Sequence, residues 1–188
     1  MGKRYIDIFG NKSNPEQEEW HIFSTVYGEL PSEKDLDSFT GFFHFRESSA
    51  SKPEDLKWIN HLNTFIQTAS QYPSKPRIFG VCFGHQVIAS ALGGKVTSIP
   101  SKNFVLQSEK IKANENFCFQ GHKAFRELFE SHDSLRLLES HRDFVETLPA
   151  EAPRLVSSAT CEHEMVQFTK IYLDFKLIQK LMCKISKK

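Results

Sequence analysis

Arg77-Ile78-Phe79-Gly80-Val81-Cys82-Phe83-Gly84-His85-Gln86 is the stretch on which the reading of this chain turns. An apolar, strand-like run enters a cysteine with a glycine two residues before it and another two residues after. A helical stretch, Val87-Ile88-Ala89-Ser90-Ala91-Leu92, follows at once. The pattern is the G-x-C-x-G form of the nucleophile elbow, in which the reactive side chain sits on a strained strand-to-helix turn. Side chains at Gly80 or Gly84 are expected to collide with neighbouring backbone, and the turn needs conformations that other residues resist. The helix aims its N-terminal N–H groups at the Cys82 sulfur, which favours a thiolate. The Phe83 N–H is then placed to meet the oxygen of a carbonyl under attack.

Outward from the elbow, Pro53 to Ala69 carries Leu56, Ile59, Leu62, Phe65 and Ile66 at helical spacing, with Glu54 and Asp55 in the first turn. Before it, Tyr5 to Phe9, Trp20 to Val26 and the end of Leu36 to Phe45 read as strands, with Gly28-Glu29-Leu30-Pro31 as a turn. After it come β-like segments at Phe104 to Ile111, Ser134 to Glu139 and Ala152 to Ser157. Strands alternating with helices predict a mostly parallel sheet covered on both faces, with the cysteine at the carboxyl end of a central strand, where such sheets place their sites.

The 188 residues make one domain's worth of chain, enough to bury about 70% of the unfolded surface without disulfide or metal. A net charge of +1 gives no general affinity for nucleic acid or acidic membranes. Cys82, Cys118, Cys161 and Cys183 contain no C-x-x-C pair and read as free thiols. No apolar run is long enough to cross a bilayer, and the N-terminus lacks a signal core, so a cytoplasmic protein is expected. The spacings of Cys118…His122 and Cys161…His163 match no standard zinc module, so neither metal nor cofactor is expected.

Gly80-Val81-Cys82-Phe83-Gly84-His85-Gln86, with Ala91-Leu92-Gly93-Gly94-Lys95-Val96 after it, resembles the class I glutamine amidotransferase family. The likeness is greatest to its free-standing γ-glutamyl peptidase-like members. Ser140-His141-Arg142-Asp143-Phe144-Val145 with Leu148-Pro149 is similar to the family's S-H-x-D-x-V…L-P segment. Glu29-Leu30-Pro31 and Trp58-Ile59 also fall where members carry similar residues. The resemblance covers residues 20–165 best and implies a flavodoxin-like three-layer α/β sandwich occupying 1–188 as a single domain. It implies hydrolysis of a γ-glutamyl amide, in glutamine or a γ-glutamyl peptide, through a thioester on a Cys-His-Glu triad. Cys82 takes the nucleophile's position, Phe83 N–H that of an oxyanion donor, and Gln86 that of a substrate contact.

Two departures stand against that pattern. Where the family carries a glycine-serine oxyanion turn, this chain reads Phe43-His44-Phe45-Arg46-Glu47-Ser48, with no glycine between Gly41 and Gly80. The family's triad histidine and glutamate lie in a Q-G-H-P-E segment, and no His-Pro-Glu occurs in this sequence. Cys161-Glu162-His163-Glu164-Met165-Val166-Gln167 runs directly into Phe168-Thr169, which reads as an internal deletion of a hairpin-sized stretch near Val166 to Phe168. His141 and His163 are the substitute bases to weigh. Strand alternation at Glu162-His163-Glu164 puts both carboxylates opposite the imidazole. His85 is expected to point away from the sulfur.

Residues 169–186 form a terminal amphipathic pattern, with Ile171, Phe175, Ile178, Met182 and Ile185 on one side and lysines on the other. It is expected to pack on the domain's own sheet, with a protein partner as the alternative. The expected activity is that of a cysteine-dependent γ-glutamyl hydrolase. The alternatives are an inactive or shortened form serving as a binding module, and a glutaminase subunit completed by a partner.

Overall fold

A computed structural model describes residues 5–9, 20–39, 41–46, 53–73, 76–99, 104–114, 135–150 and 152–168. The predicted terminal helix over 169–186 and the Cys118 and His122 positions lie outside these residues. Strands β1 (Tyr5–Phe9), β2 (Trp20–Phe23), β3 (Gly41–Arg46) and β4 (Arg77–Cys82) form one sheet in the order β2-β1-β3-β4. Helix α1 (Pro53–Gln71) links β3 to β4, and α2 (Phe83–Ala91) leaves β4 directly. The predicted strand from Trp20 is shorter than expected, because Thr25–Tyr27 turns into a short 3-10 helix.

The β3–β4 pair runs parallel, from Gly41 opposite Arg77 to Arg46 opposite Cys82. A parallel pair needs a long crossover, and α1 supplies it. β1 is antiparallel to both β2 and β3, so among the described residues parallel pairing is confined to the two strands beside the cysteine. A second sheet, β10-β9-β6-β7, is antiparallel; it comprises β6 (Val105–Ala113), β7 (Leu135–His141), β9 (Arg154–Ser157) and β10 (Met165–Val166). β5 (Lys95–Ser98) and β8 (Asp143–Thr147) form an antiparallel pair joining the elbow helix to the end of β7. No described helix is long and apolar enough to cross a membrane.

The main core lies between the first sheet and its two helices. Phe42 and Ile78 from β3 and β4 meet Trp58, Leu62, Ile66 and Ala69 from α1 and Val87, Ile88 and Ala91 from α2. The buried stripe of α1 is therefore led by Trp58, with Ile59 and Phe65 on its flank. Leu62 and Ile66 fall on the stripe read from the spacing, which did not include Trp58 or Ala69. Each large side chain taken fully out of water here contributes about 1.5–3 kcal/mol. On the opposite face of the sheet, Phe43 and Phe79, paired in register, stack at 5.0 Å.

Candidate active site

β4 delivers Cys82 to the end of the parallel pair, and the backbone then turns sharply into α2. Cys82 has φ 55° and ψ −111°, the sole positive φ among the described non-glycine residues. Such a conformation costs about 1–3 kcal/mol and persists only when its surroundings enforce it. The enforcement comes from close backbone contact. A Cβ on Gly80 would lie 2.3 Å from the Gly84 carbonyl carbon, and one on Gly84 would lie 2.3 Å from the His44 carbonyl oxygen. Strand β3, the elbow and α2 thus touch through glycine, leaving the Cys82 side chain exposed.

Phe83 is the first residue of α2, and helix starts direct their N–H groups out of the helix end. Its ring is wedged between Trp58, at 5.7 Å, and His44, at 5.8 Å. Sequence reasoning took Trp58 only as a point of resemblance and His44 only as the end of a strand running into the stretch that matches the oxyanion turn; both are walls that hold the residue after the cysteine. In the stretch matching the glycine-serine turn, Phe45 and Arg46 continue as strand, with Arg46 directly opposite Cys82. The chain thus meets the missing glycine by extending the strand. Glu47 and Ser48 lie outside the described residues.

Gln86 sits one turn into α2, and its amide nitrogen donates to the Asp143 carbonyl at 2.7 Å. That bond ties the elbow helix to the Ser140–Asp143 segment, and it leaves the Gln86 side-chain carbonyl and the second amide N–H for other partners. His85 turns elsewhere, with Nε2 3.0 Å from the His163 carbonyl oxygen and its ring 5.4 Å from Phe168. Burial pushes the His85 imidazole down to about 4, so it is neutral near pH 7. The junction residues beyond β10 therefore pass against the first turn of α2, and Gln167 N donates to the Pro153 carbonyl at 3.2 Å.

The two substitute histidines are placed differently. His141 Nδ1 lies 3.3 Å from the Asp143 carbonyl oxygen, and Nε2 lies 3.4 Å from Glu139 Oε2. The latter contact is within ion-pair range but is no well-formed hydrogen bond. Both nitrogens are thus turned to acceptors rather than to a thiol. His163 is buried with Nδ1 lacking a hydrogen-bond partner among the described residues, and burial lowers its pKa. The alternation expected at Glu162-His163-Glu164 does not form. Residues 161–164 make a turn, so Glu162 points outward to Arg154 while Glu164 accepts from Ser158 Oγ at 2.5 Å.

That turn closes a carboxylate cluster which the sequence reading missed. Glu109 on β6 and Glu139 on β7 are buried. Burial opposes ionisation of Glu109, but hydrogen bonds from Thr160, Gln107 and Ser158 outweigh it and bring the carboxyl down to about 2. Glu139, for which no such donor stands among the described residues, is raised to about 7 by burial, then by Glu164 and Glu109. Burial also raises Glu164, against the Ser158 hydrogen bond. Cys161, buried beside these carboxylates, is pushed up to about 12 and is no rival nucleophile. The available signal was charge at inward strand positions, since Glu109 shares the phase of Ile111, and Glu139 that of Leu135.

An elbow cysteine on a parallel strand pair, capped by a helix, defines an α/β protein with a nucleophile-elbow site. The glutamine amidotransferase class-I family model matches residues 52–172, and the chain belongs to that family. Gamma-glutamyl peptidase 3 of Arabidopsis thaliana is 33% identical over 162 residues, covering 86% of this chain and 62% of that protein. Gamma-glutamyl peptidase 4 of the same plant is 33% identical over 175 residues, covering 90% and 64%. The chain thus spans less than two thirds of the length of these relatives. Among solved structures, a glutamine amidotransferase from Thermotoga maritima superposes with a TM-score of 0.58 at 18% identity, over 88% of this chain and 73% of that one. One from Methylobacillus flagellatus gives 0.56 at 22%, over 84% and 60%. These likenesses show the flavodoxin-like α/β fold that the family resemblance implied.

Proposed function

We propose that this chain is a γ-glutamyl amide-cleaving domain in which Cys82 attacks the γ-carbonyl of glutamine or a γ-glutamyl peptide. The observation that carries the reading is the exposed Cys82 held at φ 55° at the junction of β4 and α2. The Cys82 sulfur forms a bond to the carbonyl carbon, and the carbonyl electron pair moves to oxygen, stabilised by the Phe83 N–H. Collapse of that oxyanion breaks the C–N bond, and the departing amine takes up a proton. Water then cleaves the thioester and returns the thiol. The Gln86 carbonyl oxygen receives an N–H of the substrate, while its amide nitrogen stays on Asp143.

Proton transfer is the incomplete part. A positioned acid–base group contributes about 10²–10⁴-fold, and the sequence has no His-Pro-Glu to supply it. Among the described histidines, His85 and His141 are committed to other contacts, and His44 packs its ring against Phe83. Acylation at Cys82 therefore outpaces release, and a partner or further polypeptide carrying the base completes the cycle. Intact-mass spectrometry after incubation with a γ-glutamyl anilide tests this. The expected product is one γ-glutamyl group on the wild type and none on Cys82→Ser. No adduct on the wild type, with Cys82 still alkylated by iodoacetamide, overturns the reading in favour of a binding module.

A further inference from the structure

His141 faces two acceptors with one imidazole. Nδ1 lies 3.3 Å from the Asp143 carbonyl oxygen, which can only accept, and Nε2 lies 3.4 Å from Glu139 Oε2. A neutral imidazole carries a single N–H, so it can donate to one of these and not to both. Both contacts are favourable only if the pair holds an additional proton, either on the Glu139 carboxyl or on the ring. The surroundings press for that proton. Glu139 and His141 are nearly buried, with side-chain exposures of 9% and 11%. Glu109 approaches from β6, and Glu164 with Cys161 from the turn after β9. Among the described residues, the ion-pair partner of Glu139 is His141, and no lysine or arginine joins them.

The same Asp143 carbonyl receives the Gln86 side chain at 2.7 Å, while the Asp143 carboxylate is held by Ser98 Oγ at 2.6 Å. One backbone oxygen therefore joins the pair to the first turn of the elbow helix. We propose that Glu139 and His141 hold one shared proton that fixes Asp143 against the elbow helix, and that loss of this proton slackens the Gln86–Asp143 anchor and detunes Cys82. With the proton bound, Nδ1–H donates to Asp143 and Nε2 faces Glu139 within ion-pair range, the one proton residing on the ring or on the carboxyl. Without it, the ring turns its single N–H to the Glu139 carboxylate. The bare Nδ1 then opposes the Asp143 carbonyl, acceptor to acceptor. His141 and Glu139 are positioning residues in this scheme. Its consequence for turnover rests on the hydrolase reading; the proton step itself does not.

Two substrate-free readouts test it on the full chain. Proton–nitrogen correlation spectra of the His141 ring should show Nδ1–H at low pH and a change to Nε2–H as pH rises, in step with the Glu139 carboxyl carbon. Glu139→Gln, isosteric with the protonated acid and carrying permanent N–H donors, should remain folded and lose the transition. The ratio of wild-type to Glu139→Gln alkylation rates at Cys82 should be flat below the transition and fall on the order of fivefold above it, as expected for losing about one hydrogen bond's net stabilisation. A wild-type His141 ring that keeps one tautomer from pH 5.5 to 8.5, or a transition that persists in Glu139→Gln, overturns the shared proton. A flat rate ratio overturns the link to the elbow. Absence of amide cleavage bears on the hydrolase reading alone, since both readouts use no substrate.

Discussion

At Cys82 the backbone is held at φ 55° and ψ −111° although a β-carbon is present. The strain is stored where the side chain must project from the end of β4 to reach a ligand. Glycine tolerates this conformation, whereas alanine and cysteine do not. Cys82→Gly is therefore expected to be more stable than Cys82→Ala by about 1–2 kcal/mol, after allowing for the extra chain entropy of glycine. Paired urea midpoints measure the difference, and equal midpoints would show the turn to be relaxed. The two glycines and the cysteine were legible in the sequence, because G-x-C-x-G states a steric requirement. His163 was not. Its alternation argument assumed a strand, and a one-turn reversal over 161–164 separated Glu162 from Glu164.

Among the elements, α2 is held by α1 from one side and by β8 from the other. Trp58 supplies the first contact through Phe83, and Asp143 the second through Gln86. Leu62 lies in the same core as Trp58, one turn further along α1. Trp58→Ala and Leu62→Ala should each remove about 2–5 kcal/mol of stability. Only Trp58→Ala should also slow alkylation of Cys82, since it alone removes a wall from Phe83. Equal alkylation rates in the two variants would contradict this division of roles. The strands, the long helix and the elbow were readable from periodicity and glycine spacing. Which strands paired was not, because antiparallel pairing of β1 and the second sheet depends on long-range register. The Glu109–Glu139–Glu164 cluster was hidden for the same reason: its members come from β6, β7 and the turn after β9.

For the molecule as a whole, two buried groups bend stability with pH in opposite directions. His85 titrates near 4 when folded and near 6.5 when unfolded, so the unfolded chain binds more protons between these values and stability falls as pH drops. Glu139 titrates near 7 when folded against 4.5 unfolded, so the folded chain binds more protons and stability falls as pH rises. Each contributes on the order of 3 kcal/mol. Glu164 acts in the direction of Glu139, and His163 in that of His85. Wild-type urea midpoints should be nearly level from pH 4.5 to 6.5. They should rise with pH in Glu139→Gln and fall with pH in His85→Leu; parallel profiles in all three would refute the opposition. Below pH 4.5 the wild type should lose stability further, and a Glu109→Gln variant should lose less, as the folded-state value of about 2 for that carboxyl requires.

On the proposed function the chain holds the nucleophile half of a γ-glutamyl-cleaving mechanism, and its sequence has no His-Pro-Glu to supply the proton-transfer half. Small imidazole in the buffer can stand in for a missing histidine. The most telling measurement is steady-state release of the aniline from a γ-glutamyl anilide as imidazole is increased, for wild type beside Cys82→Ser. The account predicts slow release that imidazole accelerates at least tenfold in wild type and leaves unchanged in Cys82→Ser. Rapid, Cys82-dependent release that imidazole does not alter would contradict it, because the chain would then carry its own base.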